Sequence, residues 1–181
     1  ALRHMPETVF FGVVTFLIVL GPLVVLHELG HLLTARKFGV KTLEFGFGYP
    51  PRAGGIWSGK TPVLVDSETV YEIDKESLIG NTVTIRTVRD EQGRSVAVSV
   101  RSRAKGDDAE ASEGGLIVTG KIRSIDGDQM IVADMLWSFN WLPLGGFVRM
   151  VGEESSNAVD SLGSKPRWQR IVVMGAGAFV N

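Results

Sequence analysis

The chain has 181 residues, of which 44% are hydrophobic, and its formal net charge is −1. This composition excludes an intrinsically disordered chain, and the near-neutral charge is not that of a nucleic-acid-binding protein. The absence of cysteine excludes a disulfide framework and a thiolate metal site. The apolar residues are concentrated at the two ends, around a polar middle, which is typical of a membrane protein.

The first element after a polar lead over residues 1–8 is a long apolar run. Eighteen residues, from Val9 to Leu26, carry no charge, and the apolar character continues to Phe38. The pattern predicts a first transmembrane helix over residues 9–38. A secretory signal peptide is the competing interpretation, but the run is too long and lacks a small-residue cleavage site.

Near the end of this helix lies the sequence His27-Glu28-Leu29-Gly30-His31. Two histidines four residues apart lie on one face of a helix, so their imidazoles can converge on one metal ion. Zinc suits a pair of imidazoles, and a neighbouring glutamate can deprotonate the water that attacks a carbonyl. The motif therefore predicts His27 and His31 as zinc ligands, Glu28 as the general base, and amide hydrolysis as the reaction.

Positive charges follow the helix and predict its orientation. One arginine, Arg3, precedes the helix, whereas four basic residues come soon after it: Arg36, Lys37, Lys41 and Arg52. By the positive-inside rule, the metal-binding end and the chain that follows face the cytoplasm.

Two extended segments flank the middle of the chain, at residues 39–59 and 135–151. In the first, Phe45, Phe47 and Tyr49 alternate with glycine, which suits a strand with bare backbone on one side. We expect the two segments to form a hairpin whose open edge binds a peptide as an added strand. The substrate-binding residues predicted at this edge are Gly46, Phe47 and Gly48.

An alternative is an ordinary amphipathic hairpin at the membrane interface. In that interpretation Trp137 and Trp141 anchor the second segment among the lipid headgroups.

Between these segments, residues 60–134 predict an inserted soluble β domain of uncertain type on the cytoplasmic side. Its clearest feature is a hairpin formed by Thr82–Arg89 and Ser95–Arg101. The residues expected on its buried face are Val83, Ile85, Val96, Val98 and Val100. Further strands are expected at residues 116–118 and 121–132, the latter broken at Asp126-Gly-Asp128, and residues 105–115 are expected to form an acidic loop.

The last part of the chain is read as an interfacial linker over residues 152–170 and the beginning of a second transmembrane helix over residues 171–181. The predicted fold class is membrane α-helical, with a membrane-associated β-hairpin and an inserted small β-rich domain. Because the first residue is not Met and Asn181 interrupts an apolar run, we expect the chain to be a fragment.

Several motifs in this order resemble the site-2 protease family of intramembrane zinc metalloproteases. They cover residues 9–52 and 135–181, and the nearest branch is the bacterial one that cleaves membrane-bound anti-sigma factors. The motifs are His27-Glu28-Leu-Gly-His31, Gly46-Phe-Gly48, Pro143-Leu-Gly-Gly-Phe147 and Lys165-Pro-Arg-Trp-Gln-Arg170.

The resemblance implies a zinc cofactor held by His27 and His31, with Glu28 as the general base. It implies a multi-pass protein of the plasma (inner) membrane, whose partners are the lipid bilayer and a membrane-protein substrate, with an anti-sigma factor as one candidate. It also implies that the aromatic-glycine hairpin presents an unwound substrate helix to the metal.

The chain departs from the family pattern at two points. Ala178 stands where the family has proline in Gly-Pro-x-x-Asn, here Gly177 to Asn181. The family's third zinc ligand, an aspartate on a later helix, is expected beyond the last residue, so the chain alone is expected to be inactive.

Two other classes of protein compete with this interpretation. A membrane-anchored metalloprotease of the soluble type would place its metal helix outside the bilayer, whereas this motif continues the span without a polar break. A non-catalytic membrane adaptor that retains the fold would lack the third ligand. An Asp-Gly sequence in a later apolar helix would favour the protease.

Overall fold

The computed structural model describes residues 7–74, 77–103, 111–112, 115–152 and 160–180, which form two helices and nine strands. Parts of the predicted polar lead, acidic loop and interfacial linker, at residues 1–6, 105–110, 113–114 and 153–159, lie outside the described residues, as does Asn181. The elements are α1 (Glu7–Lys37), β1 (Thr42–Ser58), β2 (Thr61–Leu64), β3 (Val70–Tyr71), β4 (Thr82–Arg89), β5 (Ser95–Ser102), β6 (Ala111–Ser112), β7 (Gly115–Asp126), β8 (Gln129–Ala133), β9 (Met135–Met150) and α2 (Arg167–Val180).

Helix α1 has 31 residues, two more at its start and one fewer at its end than the predicted span. At 1.5 Å per residue it is about 46 Å long, more than a hydrocarbon core of about 30 Å requires. It is the one helix in the described ranges that is long and apolar enough to cross a membrane. Its large apolar side chains, such as Phe11, Phe16 and Ile18, are exposed, so the described residues do not bury it as a core helix.

Strands β1 and β9 form the first sheet, and the predicted pairing of these two segments is confirmed. The second half of β1, from Arg52 to Ser58, pairs with the first half of β9. The first half of β1 lies between two segments of β9, because Phe45 is in register with both Trp137 and Val148. Each long strand therefore contributes two segments, and the first half of β1 is internal.

This pairing contradicts the predicted open edge at residues 45–48. Phe47, like Phe45, is in register with β9 twice, at Phe139 and Gly146. A Cβ on Gly46 would collide with the ring of Phe147, and one on Gly48 would collide with the carbonyl oxygen of Leu142. These glycines allow close packing inside the sheet, so the alternating pattern was wrongly interpreted as unpaired backbone.

The second sheet has the order β2-β8-β7-β4-β5-β3, and β6 pairs with β7. Strand β2 also pairs with β5, through Leu64 and Val96, so five strands close into a small barrel. The interior of the barrel is apolar and fully buried, and it includes Val63, Ile85, Val100, Val118, Met130 and Val132. Burial of these side chains stabilises the barrel by roughly 2 kcal/mol for each residue.

The predicted hairpin of β4 and β5 is confirmed, but its buried face is partly different. Val83, Ile85 and Val100 are buried as expected, whereas Val98 is 39% exposed and Ala97 is buried instead. The register of the two strands shifts between Arg86 and Thr87. Such a bulge changes which residues face the core, so strict alternation failed along β5. Strand β7 is also continuous where a break was expected at residues 119–120.

Helix α1, the first sheet and α2 pack together around a second apolar core. Its buried members come from all three layers and include Leu32, Ala35, Phe45, Met135, Val148 and Val173. The two helices approach each other closely at Gly30, where a Cβ would lie 2.8 Å from the carbonyl oxygen of Ala176. The histidine motif of α1 therefore lies between the first sheet and α2.

Candidate metal centre

The two histidines of the motif are neighbours on one face of α1. The centroids of the His27 and His31 rings are 4.9 Å apart, and the ring planes meet at 73°. Both side chains are partly buried. This arrangement follows from the helix itself, because residues four apart lie one turn above each other.

His31 is oriented by the second helix. Its Nδ1 atom lies 2.7 Å from the carbonyl oxygen of Val173, which can only accept a hydrogen bond. We therefore assign the proton to Nδ1, which leaves the lone pair of Nε2 available as a metal ligand. A metal-binding histidine typically donates its other ring N–H to a carbonyl or carboxylate in this way.

The Nε2 atoms of both histidines face the same small space beside α2. A Cβ built on Gly177 would lie 2.5 Å from Nε2 of His27 and 2.5 Å from Nε2 of His31. The two nitrogen atoms therefore lie near each other, as two ligands of one zinc ion with bonds of about 2.0–2.1 Å must. The donors are also of the right chemical type, since neutral imidazole suits zinc.

Glu28 follows His27 in α1 and lies on the side of the first sheet. A Cβ built on Gly146 of β9 would lie 3.5 Å from Cγ of Glu28 and 3.8 Å from Cγ1 of Val24. The Glu28 side chain is partly buried. A carboxylate in this position is available as a proton acceptor beside the two imidazoles.

A complete metal site requires more ligands than these. Within the described ranges, no group of three or more His, Cys, Asp or Glu side chains is arranged to hold a metal ion. Because a catalytic zinc site has three protein ligands, the two histidines supply only part of one.

The predicted substrate-binding residues lie next to this centre but inside the sheet. The carbonyl oxygens of Phe47 and Gly48 accept hydrogen bonds from the side-chain amide of Asn140, at 3.2 and 3.1 Å. The β9 segment over residues 146–150 pairs with β1 on one edge. No other strand of the described residues pairs with its second edge. The available edge next to Glu28 is therefore that of β9.

Sequence reasoning missed three residues that shape this centre, namely Val173, Gly177 and Gly146. Gly146 and Gly177 both lie in motifs that carry the family resemblance, so a signal for them was present. Val173 contributes its backbone carbonyl, for which a side-chain pattern gives no signal.

Comparison with known proteins supports the same family. The profile named Peptidase family M50 matches residues 15–62. The chain is 32% identical to the "Regulator of sigma-W protease RasP" of Bacillus subtilis, in an alignment that covers 93% of the chain. It is 28% identical to the "Zinc metalloprotease RasP" of Bacillus licheniformis over the same share of the chain. It is 26% identical to a "Putative zinc metalloprotease" of Thermotoga maritima over 91% of the chain.

The chain spans 42% of the length of each of the two Bacillus relatives and 19% of that of the Thermotoga protein.

Proposed function

Because the chain belongs to the site-2 protease family of zinc metalloproteases, we propose that it carries the general base and two metal ligands of an intramembrane endopeptidase. The observation that supports this proposal best is that the Nε2 atoms of both histidines lie beside the same position of α2, each 2.5 Å from a Cβ built on Gly177. The helix that carries both histidines is apolar enough to cross a membrane. Ionisable residues in such a helix are costly and are usually functional.

Each residue of the motif has a separate role in the proposal. His27 and His31 hold zinc through Nε2, and Glu28 is the general base. The third ligand comes from outside the described residues, which is why we expect the 181-residue chain alone to be inactive. The activity belongs to the complete protein.

The chemistry follows from these roles. When bound, zinc supplies Lewis acidity that polarises the substrate carbonyl and makes a water molecule easier to deprotonate. Glu28 accepts a proton from the attacking water as the new C–O bond forms, and it then transfers the proton to the amine nitrogen, which leaves as the C–N bond breaks. The carbonyl of Val173 keeps the Nδ1 proton of His31 in place, and the ring keeps one orientation.

The substrate class follows from the position of the site in an apolar helix. We propose that the substrates are single-span membrane proteins, and that membrane-bound anti-sigma factors are among them. The Bacillus subtilis relative is named for the regulation of sigma-W, which supports this choice. Peptide bonds in a spanning helix are protected by their own hydrogen bonds, so cleavage requires an extended segment.

The edge of β9 over residues 146–150 is the place where we propose that this extended segment pairs. Main-chain hydrogen bonds to a strand edge satisfy the backbone groups that leave a helix. Gly146 is in this segment and lies against Glu28, which brings an added strand close to the general base. Gly46, Phe47 and Gly48 then support the edge strand from inside the sheet.

The tip of the first sheet provides the proposed contact with the bilayer. Its apolar side chains are about half exposed or more, namely Tyr49, Phe139, Trp141, Leu142 and Leu144. Tryptophan and tyrosine favour the interface between lipid and water. We propose a multi-pass protein of the plasma membrane in which α1 spans the bilayer and the barrel lies in the cytoplasm.

The test uses the full-length protein in detergent or lipid with a single-span model substrate. We expect bound zinc near one ion per chain and cleavage within the substrate's span. Removal of zinc with 1,10-phenanthroline should abolish cleavage, and added zinc should restore it. A protein that binds the substrate without cleaving it, in the zinc-loaded state, would instead be an adaptor.

A further inference from the structure

We propose that the lack of a side chain at Gly177 of α2 lets the two imidazoles take the positions in which they bind the metal, and that a side chain at this position weakens metal binding. The inference rests on the proposed zinc site and assigns a role to a residue that is not a ligand. Gly177 is buried in the described structure. Its missing side chain is therefore what keeps the space between the two imidazoles open.

The distances show why even alanine is too large. A Cβ on Gly177 would lie 2.5 Å from Nε2 of His27, 2.5 Å from Nε2 of His31 and 2.6 Å from Cδ2 of His27. Real Cβ atoms do not approach other heavy atoms so closely, so both rings would have to move. The methyl group would therefore press against the Nε2–Cδ2 edge of His27 and against Nε2 of His31.

His31 cannot move without losing a second interaction. Its Nδ1 is held by the carbonyl oxygen of Val173, and Val173 lies one turn before Gly177 on the same face of α2. A ring rotation that relieves the collision would break this hydrogen bond, and a displacement of α2 would do the same. One helix face therefore fixes the orientation of the ligand and leaves the space that the metal requires.

Gly175 provides the matched control. It lies two residues earlier in α2, and a Cβ at this position meets only the ring of Phe179, at 3.8 Å, which is ordinary contact. The substitutions Gly175→Ala and Gly177→Ala change the intrinsic helix propensity of α2 by the same amount. They differ in whether the added methyl group points at the two imidazoles.

The experiment measures zinc affinity of the full-length protein by competition with a chelator, and the absorption spectrum of the Co²⁺-substituted form. We expect Gly177→Ala to weaken zinc binding at least tenfold and to lose or change the Co²⁺ spectrum. Gly175→Ala should match the wild type in both measurements. Wild-type affinity and spectrum in Gly177→Ala would overturn the inference, whereas a wild-type protein that binds no zinc would overturn the proposed function instead.

If Gly177→Ala folds poorly, a second measurement, the melting temperature with and without the two histidines, tests the same inference. In the background of His27→Ala and His31→Ala, the three nearest collision partners are gone, so Gly177→Ala should not lower the melting temperature. The same substitution in the metal-free protein with both histidines should lower it. An equal loss of stability in both backgrounds would mean that Gly177 serves helix packing alone, and the inference would be wrong.

Discussion

Lys41, which is partly buried, and Asp134, which is buried, form an ion pair with 2.6 Å between Nζ and Oδ2, at the point where the chain leaves the barrel. Lys41 follows the end of α1, and Asp134 lies between β8 and β9. The same Oδ2 atom accepts a hydrogen bond from the hydroxyl of Thr61, at 2.8 Å. One carboxylate therefore joins the membrane helix, the barrel and the first sheet.

Asp134→Asn should destabilise the protein by about 1–3 kcal/mol, because it leaves the partly buried charge of Lys41 without its carboxylate partner. Thermal or chemical unfolding would measure this change. Asp128→Asn is the control, because Asp128 is exposed and its change should stay within about 0.5 kcal/mol. Equal stability of the two variants would show that the ion pair does not hold this junction together.

Glu28→Gln should lower cleavage of a single-span substrate by at least about 100-fold, because the amide cannot accept the proton of the attacking water. Zinc content should stay near that of the wild type, since both histidines remain. Glu7→Gln, at the exposed start of the same helix, should retain full activity. Normal cleavage by Glu28→Gln would remove Glu28 from the mechanism.

A cysteine at Glu91 should report the orientation of the barrel. Glu91 is exposed in the turn between β4 and β5, and the chain has no cysteine of its own. Glu91→Cys should resist an impermeant thiol reagent in intact cells and react after permeabilisation. Glu7→Cys, at the other end of α1, should react in intact cells, and the reverse pattern would invert the proposed topology.

Gly146→Val should reduce cleavage about tenfold or more, because its methyl groups crowd Glu28 and the backbone of Gly46. Zinc affinity should change little, since Gly146 does not face the imidazole nitrogens. Gly54→Val, in β1, is the control, because a Cβ there meets nothing within 4 Å. Full activity in Gly146→Val would place the substrate away from this edge.

Phe47→Pro should impair the cleavage of helical and of helix-broken substrates equally. Phe47 pairs with β9 on both sides, so proline removes a donor inside the sheet and disturbs the sheet itself. Cleavage assays on the two substrates, with a melting curve of the variant, measure this. A loss limited to the helical substrate would restore the earlier idea that residues 46–48 bind the substrate directly.

The sequence predicted what depends on local spacing. The four-residue interval between His27 and His31 determines their relative position on any α-helix, and the uncharged run determines the extent of α1. Pairing on both sides of Phe45 depends on residues about 90 positions away, which no local pattern reveals. Ala97 replaces Val98 in the core because β5 has one extra residue, Val98, between the partners of Arg86 and Thr87, and the local pattern does not reveal this bulge.

The two ends of the barrel segment lie side by side, so the barrel could be deleted from the chain as one unit. Ser58 and Met135, which flank the barrel in the chain, are register partners in the first sheet. Thr61, the first residue of β2, and Val132, near the end of β8, are partners as well. A short turn joining Ser58 to Met135 would therefore excise the barrel and leave the β1–β9 pairing continuous, which makes the insertion a removable cassette.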